Sequence, residues 1–284
     1  MIAAQRRALI LEHLRRHGAD SIIALSRTVG VSPSTIRRDL DFLTDSGYIA
    51  RSHGGAMVSD GLRTTFEPPR EIGSQMAHAA KTAIGARAVE LLEAGQSVVF
   101  DSSSTVLEAA KAAVARKLRL TVCTNDIGTA AVLAESEALQ LVVLGGTNRV
   151  GSLTLIGDPG LSFLERIHAD IAFIGIHSLF GARLSETSID VAAMKRRMIA
   201  SATRAIVLAD SSKFRYPAFC DVAPISDIDV IITDGDVGDQ DRRAIIEAGV
   251  ELIVVNDRKS AISDQTRAGG HTGDPPQADP ITDH

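Results

Sequence analysis

The chain has 284 residues, 45% of them hydrophobic and 23% charged, which suits two globular domains and excludes a disordered or fibrous polypeptide. Its longest apolar runs, such as 141–144 and 252–255, fall far short of a membrane span, its N-terminus mixes Arg6, Arg7 and Glu12 into the apolar residues unlike a signal peptide, and Cys123 and Cys220 make neither a disulfide framework nor a metal-like spacing, so a reducing cytoplasm without metal or cofactor is expected. The net charge of −5 is segregated: residues 1–57 hold eight Arg/Lys against five Asp/Glu, giving +3, and the rest of the chain carries −8, as expected where one end meets a polyanion.

Three helical patterns crowd into the first 45 residues. Ile10, Leu11 and Leu14 share a stripe over 4–16. After a break at 17–20, Ser21 opens a short helix carrying Ile22, Leu25 and Val29. Gly30-Val31 turns the chain, and Ser32 with Pro33 then caps and starts a third helix whose Ile36, Leu40 and Leu43 face inward. Gly47 stops it, and residues 48–58 form a small hairpin. Residues 59–75, with Pro68-Pro69, are expected to be a linker.

Past residue 76 the pattern changes to short β-rich runs alternating with helical segments: 98–101, 120–124, 141–144, 171–176, 205–209, 230–233 and 252–255. Strands separated by helices predict a mostly parallel sheet covered on both faces, an α/β domain over 76–257. The Gly-, Asp-, Pro- and Thr-rich residues 258–284 are expected to be a disordered tail.

The third helix carries the sharpest functional signal. With Ile36, Leu40 and Leu43 turned inward, Ser34, Thr35, Arg37 and Arg38 are left facing out at its N-terminal half. Free backbone N–H groups there suit a phosphate, and an arginine fork suits guanine in the major groove. Arg51 and His53 of the hairpin are placed to lie along the neighbouring DNA backbone.

In the α/β half, ligands are expected outside the carboxyl ends of the strands. Five strand ends carry polar or glycine residues: Asp101-Ser102-Ser103-Ser104-Thr105, Thr124-Asn125, Gly145-Gly146, Gly175-Ile176-His177 and Asp210-Ser211-Ser212-Lys213. The first leads into a helix N-terminus and favours a phosphate. Lys213 supplies neutralising charge, and Asp101 and Asn125 suit sugar hydroxyls.

Val31-Ser32, the run from Thr35 to Leu40, Leu43, Gly47 and the run from Arg51 to Ala56 resemble the signature of the DeoR family of transcription regulators. The second half resembles the family's C-terminal domain through Lys81, Asp101 to Thr105, Thr121-Val122, Thr124-Asn125, Leu144 to Gly146, Asp170, Ala172 to Gly175 and Leu208 to Phe214. The likeness spans roughly residues 5–255. It implies a winged helix-turn-helix over residues 1–58 binding double-stranded operator DNA, and a sensor domain related in fold to ribose-phosphate isomerases. It further implies a phosphorylated sugar as effector, repression of catabolic genes, and a homodimer or homotetramer. Where the family pattern has glycine in the Asp-x-Gly-Ser-Thr loop, Ser103 stands here. A site needing positive φ would suffer from serine, whereas one with room would gain a hydroxyl.

Two other functions compete. An isomerase needs a carboxylate base near the carbon-bound proton, and Gly175-Ile176-His177-Ser178 holds none, leaving Glu186 and Asp190 nearby in sequence, with Glu186 expected to be an effector contact or a surface residue. A constitutive DNA binder would use its sheet domain only to oligomerise.

Overall fold

The computed structural model describes residues 1–52, 54–58, 64–65 and 67–255; the expectations for His53, for residues 59–63 and 66 of the linker and for the C-terminal tail fall outside these. The N-terminal unit comprises α1 (Ala3–His17), β1 (Ala19–Ser21), α2 (Ile22–Val29), α3 (Pro33–Asp45), β2 (Ile49–Ser52) and β3 (Gly55–Val58). Ser21 Oγ caps α2 by accepting from Ala24 N at 3.1 Å, and Ser32 Oγ caps α3 by accepting from Thr35 N at 3.3 Å. Leu11 and Leu14, Leu25 and Val29, and Ile36, Leu40 and Leu43 close a single core. The expected hairpin is β2–β3, and β1, expected only as a break, adds a third strand in the order β1-β3-β2.

The linker expectation needs correction at its end. Residues 70–75 form α4 (Arg70–Gln75), and Ile72, with Met76 just beyond it, enters the core of the N-terminal unit. An apolar pair four residues apart shares a helix face, and that face docks on α1.

The second unit runs α5 (His78–Val89), β4 (Ser97–Phe100), α6 (Ser104–Arg116), β5 (Leu120–Thr124), α7 (Ile127–Leu133), β6 (Leu139–Val143), β7 (Thr147–Asn148), β8 (Leu155–Ile156), α8 (Gly160–Leu164), β9 (Ala169–Ile174), β10 (Ser178–Phe180), β11 (Arg183–Glu186), α9 (Ile189–Ala200), β12 (Ala202–Leu208), β13 (Cys220–Pro224), β14 (Val230–Asp234), α10 (Asp239–Glu247) and β15 (Glu251–Val255). The seven expected strands are the seven strands of one parallel sheet, ordered β15-β14-β12-β9-β4-β5-β6. Their side chains alternate between two cores. Val99, Ala172, Ile174, Ala205 and Val207 pack with Ala192, Met194 and Met198 of α9. Phe100, Phe173, Ile206 and Leu208 pack with Ile84 of α5 and Val106 of α6 on the other face. Burial on both faces is why these runs are almost wholly apolar. The short strands β7–β8 and the antiparallel β10-β11-β13 sheet were not foreseen; each is too brief for a periodic signal.

The strand order places the site. From β4 the chain winds outward through β5 and β6, then returns to β9 on the other side of β4 and winds away through β12, β14 and β15. The loops after β4 and β9 therefore diverge, which opens a crevice at their carboxyl ends. No helix among the described residues is long and apolar enough to cross a membrane.

Candidate functional site

On α3, Ile36, Leu40 and Leu43 are fully buried, while Ser34, Arg37 and Arg38 are exposed. Thr35 is half-buried and its hydroxyl lies 2.9 Å from Ser32 Oγ. Asp39, on the same helix, is buried and receives Arg6 and Arg7 of α1; Arg7 Nε donates to its Oδ1 at 3.1 Å, and Arg6 holds both its oxygens. Asp39 thus clamps α1 to α3 and leaves Arg37 and Arg38 uncommitted to it. Arg51 reaches back from β2 to donate to Arg37 O at 3.1 Å and to Asp41. The hairpin is thus tied to α3 by the residue expected to reach DNA from it.

At the crevice, a cavity of about 160 Å³ collects residues from across the fold. Ser102, Ser103, Ser104 and Thr105 come from the β4–α6 loop, Ile176 and His177 follow β9, and Asp210, Ser212, Lys213 and Arg215 follow β12. Lys195 of α9 and Glu186 of β11 line another side. Arg70 and Gly73 of α4, Lys81 of α5, Arg149 of the β7–β8 hairpin and Arg15 of α1 complete the wall.

Behind the first loop, Asp101 is 1% exposed and fully engaged. Its Oδ1 accepts from Ser103 N and its Oδ2 from Gly175 N, both at 2.7 Å, and Lys195 Nζ lies 2.7 Å from Oδ2. Asp101 therefore joins β4 to β9 across the sheet's switch point and does not face the cavity, contrary to the expectation that it contacts a sugar. Lys195 also donates to Gly175 O at 2.6 Å and pairs with Glu186 at 3.0 Å. Burial by itself pushes Lys195 down, but Asp101 and Glu186 outweigh it and hold the lysine charged, above its usual range. The surface alternative for Glu186 fails, since the residue is 7% exposed.

Ser103 has φ −79° and ψ 152°, so this loop does not require the family's glycine. Its Oγ accepts from Val106 N at 3.2 Å and caps α6. Gly175 is what makes this possible: a Cβ on it would sit 2.0 Å from Ser103 Oγ.

Of the other expected residues, Gly175 sits behind the wall against Asp101 and Ser103, and four more lie away from the cavity. Thr124 is buried with its hydroxyl accepting from Asp126 N. Asn125 Nδ2 donates to Leu155 O at 2.9 Å and ties down β8. Gly145 and Gly146 pack against Pro159 and Ile156, which a Cβ would strike. Both loops follow strands β5 and β6, on the side of β4 away from β9, and their polar groups are spent on the contacts that hold β8 and the segment around it.

Electrostatically the cavity is cationic. Burial is the main reason Lys81 is pushed down to about 8, with Lys213 adding to it. Burial also lowers Lys213, partly offset by Asp210. Burial keeps His177 far below its ordinary range, helped by Lys213 and Arg215, so the ring is neutral at pH 7. Asp210 is held below the usual carboxylate range: burial opposes this, but Lys213, Lys81 and Ser212 outweigh it. Asp210 Oδ2 is buried, and among the described residues no group donates to it.

The sequence reading missed Lys195, Arg15, Arg70, Arg149 and Arg215 as cavity residues. Lys195 had a signal: it occupies the apolar stripe of α9 with Val191, Met194 and Met198, where a lysine must find a buried partner. Arg70 had none, because its bidentate partner, Asp126, is 56 residues away.

Residues 6–61 match the family described as the DeoR-like helix-turn-helix domain, and residues 76–235 match the DeoR C terminal sensor domain. The chain is 34% identical over 255 residues to a putative aga operon transcriptional repressor of Escherichia coli O157:H7, covering 89% of this chain and 94% of that one. It is 35% identical over 256 residues to the HTH-type transcriptional regulator GlpR of Haloferax volcanii, covering 89% and 98%. Among solved structures, ribose 5-phosphate isomerase A of Methanocaldococcus jannaschii aligns at 17% identity and a TM-score of 0.37, over 49% of this chain and 55% of that one.

Proposed function

The chain belongs to the DeoR family of DNA-binding transcriptional regulators, and from that premise we propose that it represses a carbohydrate catabolic operon and is released when a phosphorylated sugar fills its cavity. One observation carries the sensing half of this reading. Seven basic side chains, Arg15, Arg70, Lys81, Arg149, Lys195, Lys213 and Arg215, line the cavity against three carboxylates among the described residues, Glu67, Glu186 and Asp210. Asp101 and Asp126 pair with two of the seven from behind the wall, and Glu12 and Glu108 act on Lys81 from outside it. A lining with this excess of positive charge suits a phosphate monoester, which carries about −1.5 to −2 at pH 7.

The α6 N-terminus, flanked by Ser102 to Thr105 and faced by Lys213, takes the phosphate through backbone N–H groups and hydroxyls. Asp210 Oδ2 accepts from a sugar hydroxyl. In the other unit, residues 1–58, Arg37 and Arg38 enter the major groove, Ser34 and Thr35 contact the DNA backbone at the α3 N-terminus, and Arg51 holds the wing against α3. The sensor unit over 76–257 pairs chains into a dimer or tetramer, setting two α3 helices one DNA turn apart. The relative named as a repressor of the aga operon supports repression as the sign of the response.

The test is fluorescence anisotropy on the DNA upstream of the protein's own gene, titrated with a panel of phosphosugars. Release by one phosphosugar, recovered chemically unchanged, is the expected result. DNA binding indifferent to the whole panel overturns the sensing half and leaves a constitutive binder.

A further inference from the structure

The sensing cavity is not built by the sensor unit alone. We infer that Arg15 of α1 is an anion-binding residue lent by the DNA-binding unit, so the effector site is complete only while α1 is docked. This rests on the phosphosugar reading and adds to it the route by which the site reaches the operator.

Arg15 lines the cavity together with Lys81, Lys213 and Arg215, and its Nη1 lies 3.8 Å from Met76 Sδ at the end of α4. One turn earlier on the same helix, Glu12 Oε1 accepts from Ala77 N at 2.5 Å, at a residue with φ 49° where the chain turns from α4 into α5. The C-terminal half of α1 is thus fastened at the cavity by two side chains. Its N-terminal half is fastened to the recognition helix, through Arg6 and Arg7 on Asp39. A helix rises about 1.5 Å per residue, so the outermost of these attachments, Arg6 and Arg15, are roughly 14 Å apart on one rigid rod.

An anion between the α6 N-terminus and Arg15 strengthens the first attachment and fixes the position of α1. Because Asp39 carries α3 with α1, the recognition helix follows. A ligand shifts only an equilibrium whose two states it contacts differently, and Arg15 supplies that difference: docked, it adds a charged hydrogen bond to the anion; displaced, it adds none.

The experiment titrates the full chain with inorganic phosphate, read by isothermal calorimetry and by the rise in Tm. Wild type is expected to bind, Lys213→Gln to lose binding, and Arg15→Gln to weaken it roughly tenfold, the scale of one charged hydrogen bond. Arg15→Lys should recover most of the loss, and Arg16→Gln, an exposed neighbour on the same helix, should bind as wild type. Circular dichroism of each variant without phosphate reports folding, and the lysine variant keeps the test decisive if the glutamine variant is unstable. Phosphate binding by Arg15→Gln equal to wild type, with Lys213→Gln deficient, overturns this inference and leaves the sensing reading standing. A wild type indifferent to phosphate overturns both.

Discussion

Lys195 Nζ and Asp101 Oδ2 lie 2.7 Å apart, joining residues separated by 94 positions, with side chains 4% and 1% exposed. The pair fastens α9 beneath the loop that presents the α6 N-terminus, and through Gly175 it also holds the end of β9. Removing Asp101 leaves Lys195 to Glu186 and the Gly175 carbonyl, and it orphans the Ser103 and Gly175 N–H groups. Asp101→Ala should therefore lower stability by about 3–5 kcal/mol in urea unfolding. A variant with unchanged midpoint would show that Asp101 does not organise the site.

Gly175 and Ser103 should behave as a coupled pair. Gly175→Ala drives a methyl into Ser103 and should destabilise by about 1–3 kcal/mol. Ser103→Gly should cost only a few tenths of a kcal/mol, since glycine still serves at an N-cap. Combined, the two should be more stable than Gly175→Ala alone. A double-mutant cycle with no coupling would contradict the contact.

Arg37 and Arg38 face outward from a helix whose other side is sealed. Arg38→Ala should cost about 1–3 kcal/mol of sequence-specific affinity if it reads a base, with phosphosugar binding intact. An arginine that touches only DNA phosphate would instead lower the salt slope by about 1, and binding measured from 50 to 200 mM salt separates the two roles. Normal affinity and slope in both alanine variants would remove α3 from the groove.

The cavity's response to pH follows from Lys81, whose pKa burial lowers to about 8 from the ordinary 10.5. Ligand phosphate is a dianion above about pH 6, so affinity should stay level between there and 8. It should then fall as pH rises through 8 and Lys81 loses its proton. Lys81→Gln should flatten that decline while weakening binding. Without ligand the sign reverses for stability: between 8 and 10.5 the unfolded chain binds the extra proton, so this residue's contribution to stability rises with pH. Calorimetry at pH 7, 8 and 9 decides, and an affinity that does not drop above 8 would exclude Lys81 from the anion's surroundings.

What the sequence determined alone is whatever local periodicity and capping encode. The stripe of Ile36, Leu40 and Leu43 decides which face of α3 is open, because a helix buries one side every 3.6 residues. The apolar runs at seven places decide the sheet strands, because a parallel strand buries both faces. Ser102 to Thr105 and Lys213 could be named because a parallel sheet gathers ligands at its strand ends. Which ends converge was left to the tertiary structure: strand order sets β9 between β4 and β12, whose ends meet at the cavity, while Thr124, Asn125, Gly145 and Gly146 follow β5 and β6 on the other side of β4. Tertiary structure alone also turned Asp101 from a ligand contact into the partner of Lys195, and brought Arg15 from the first helix to a cavity whose other residues begin more than fifty positions later. Charge pairings across such separations leave no periodic trace, since neither partner's neighbours are altered by the other until the chain has folded.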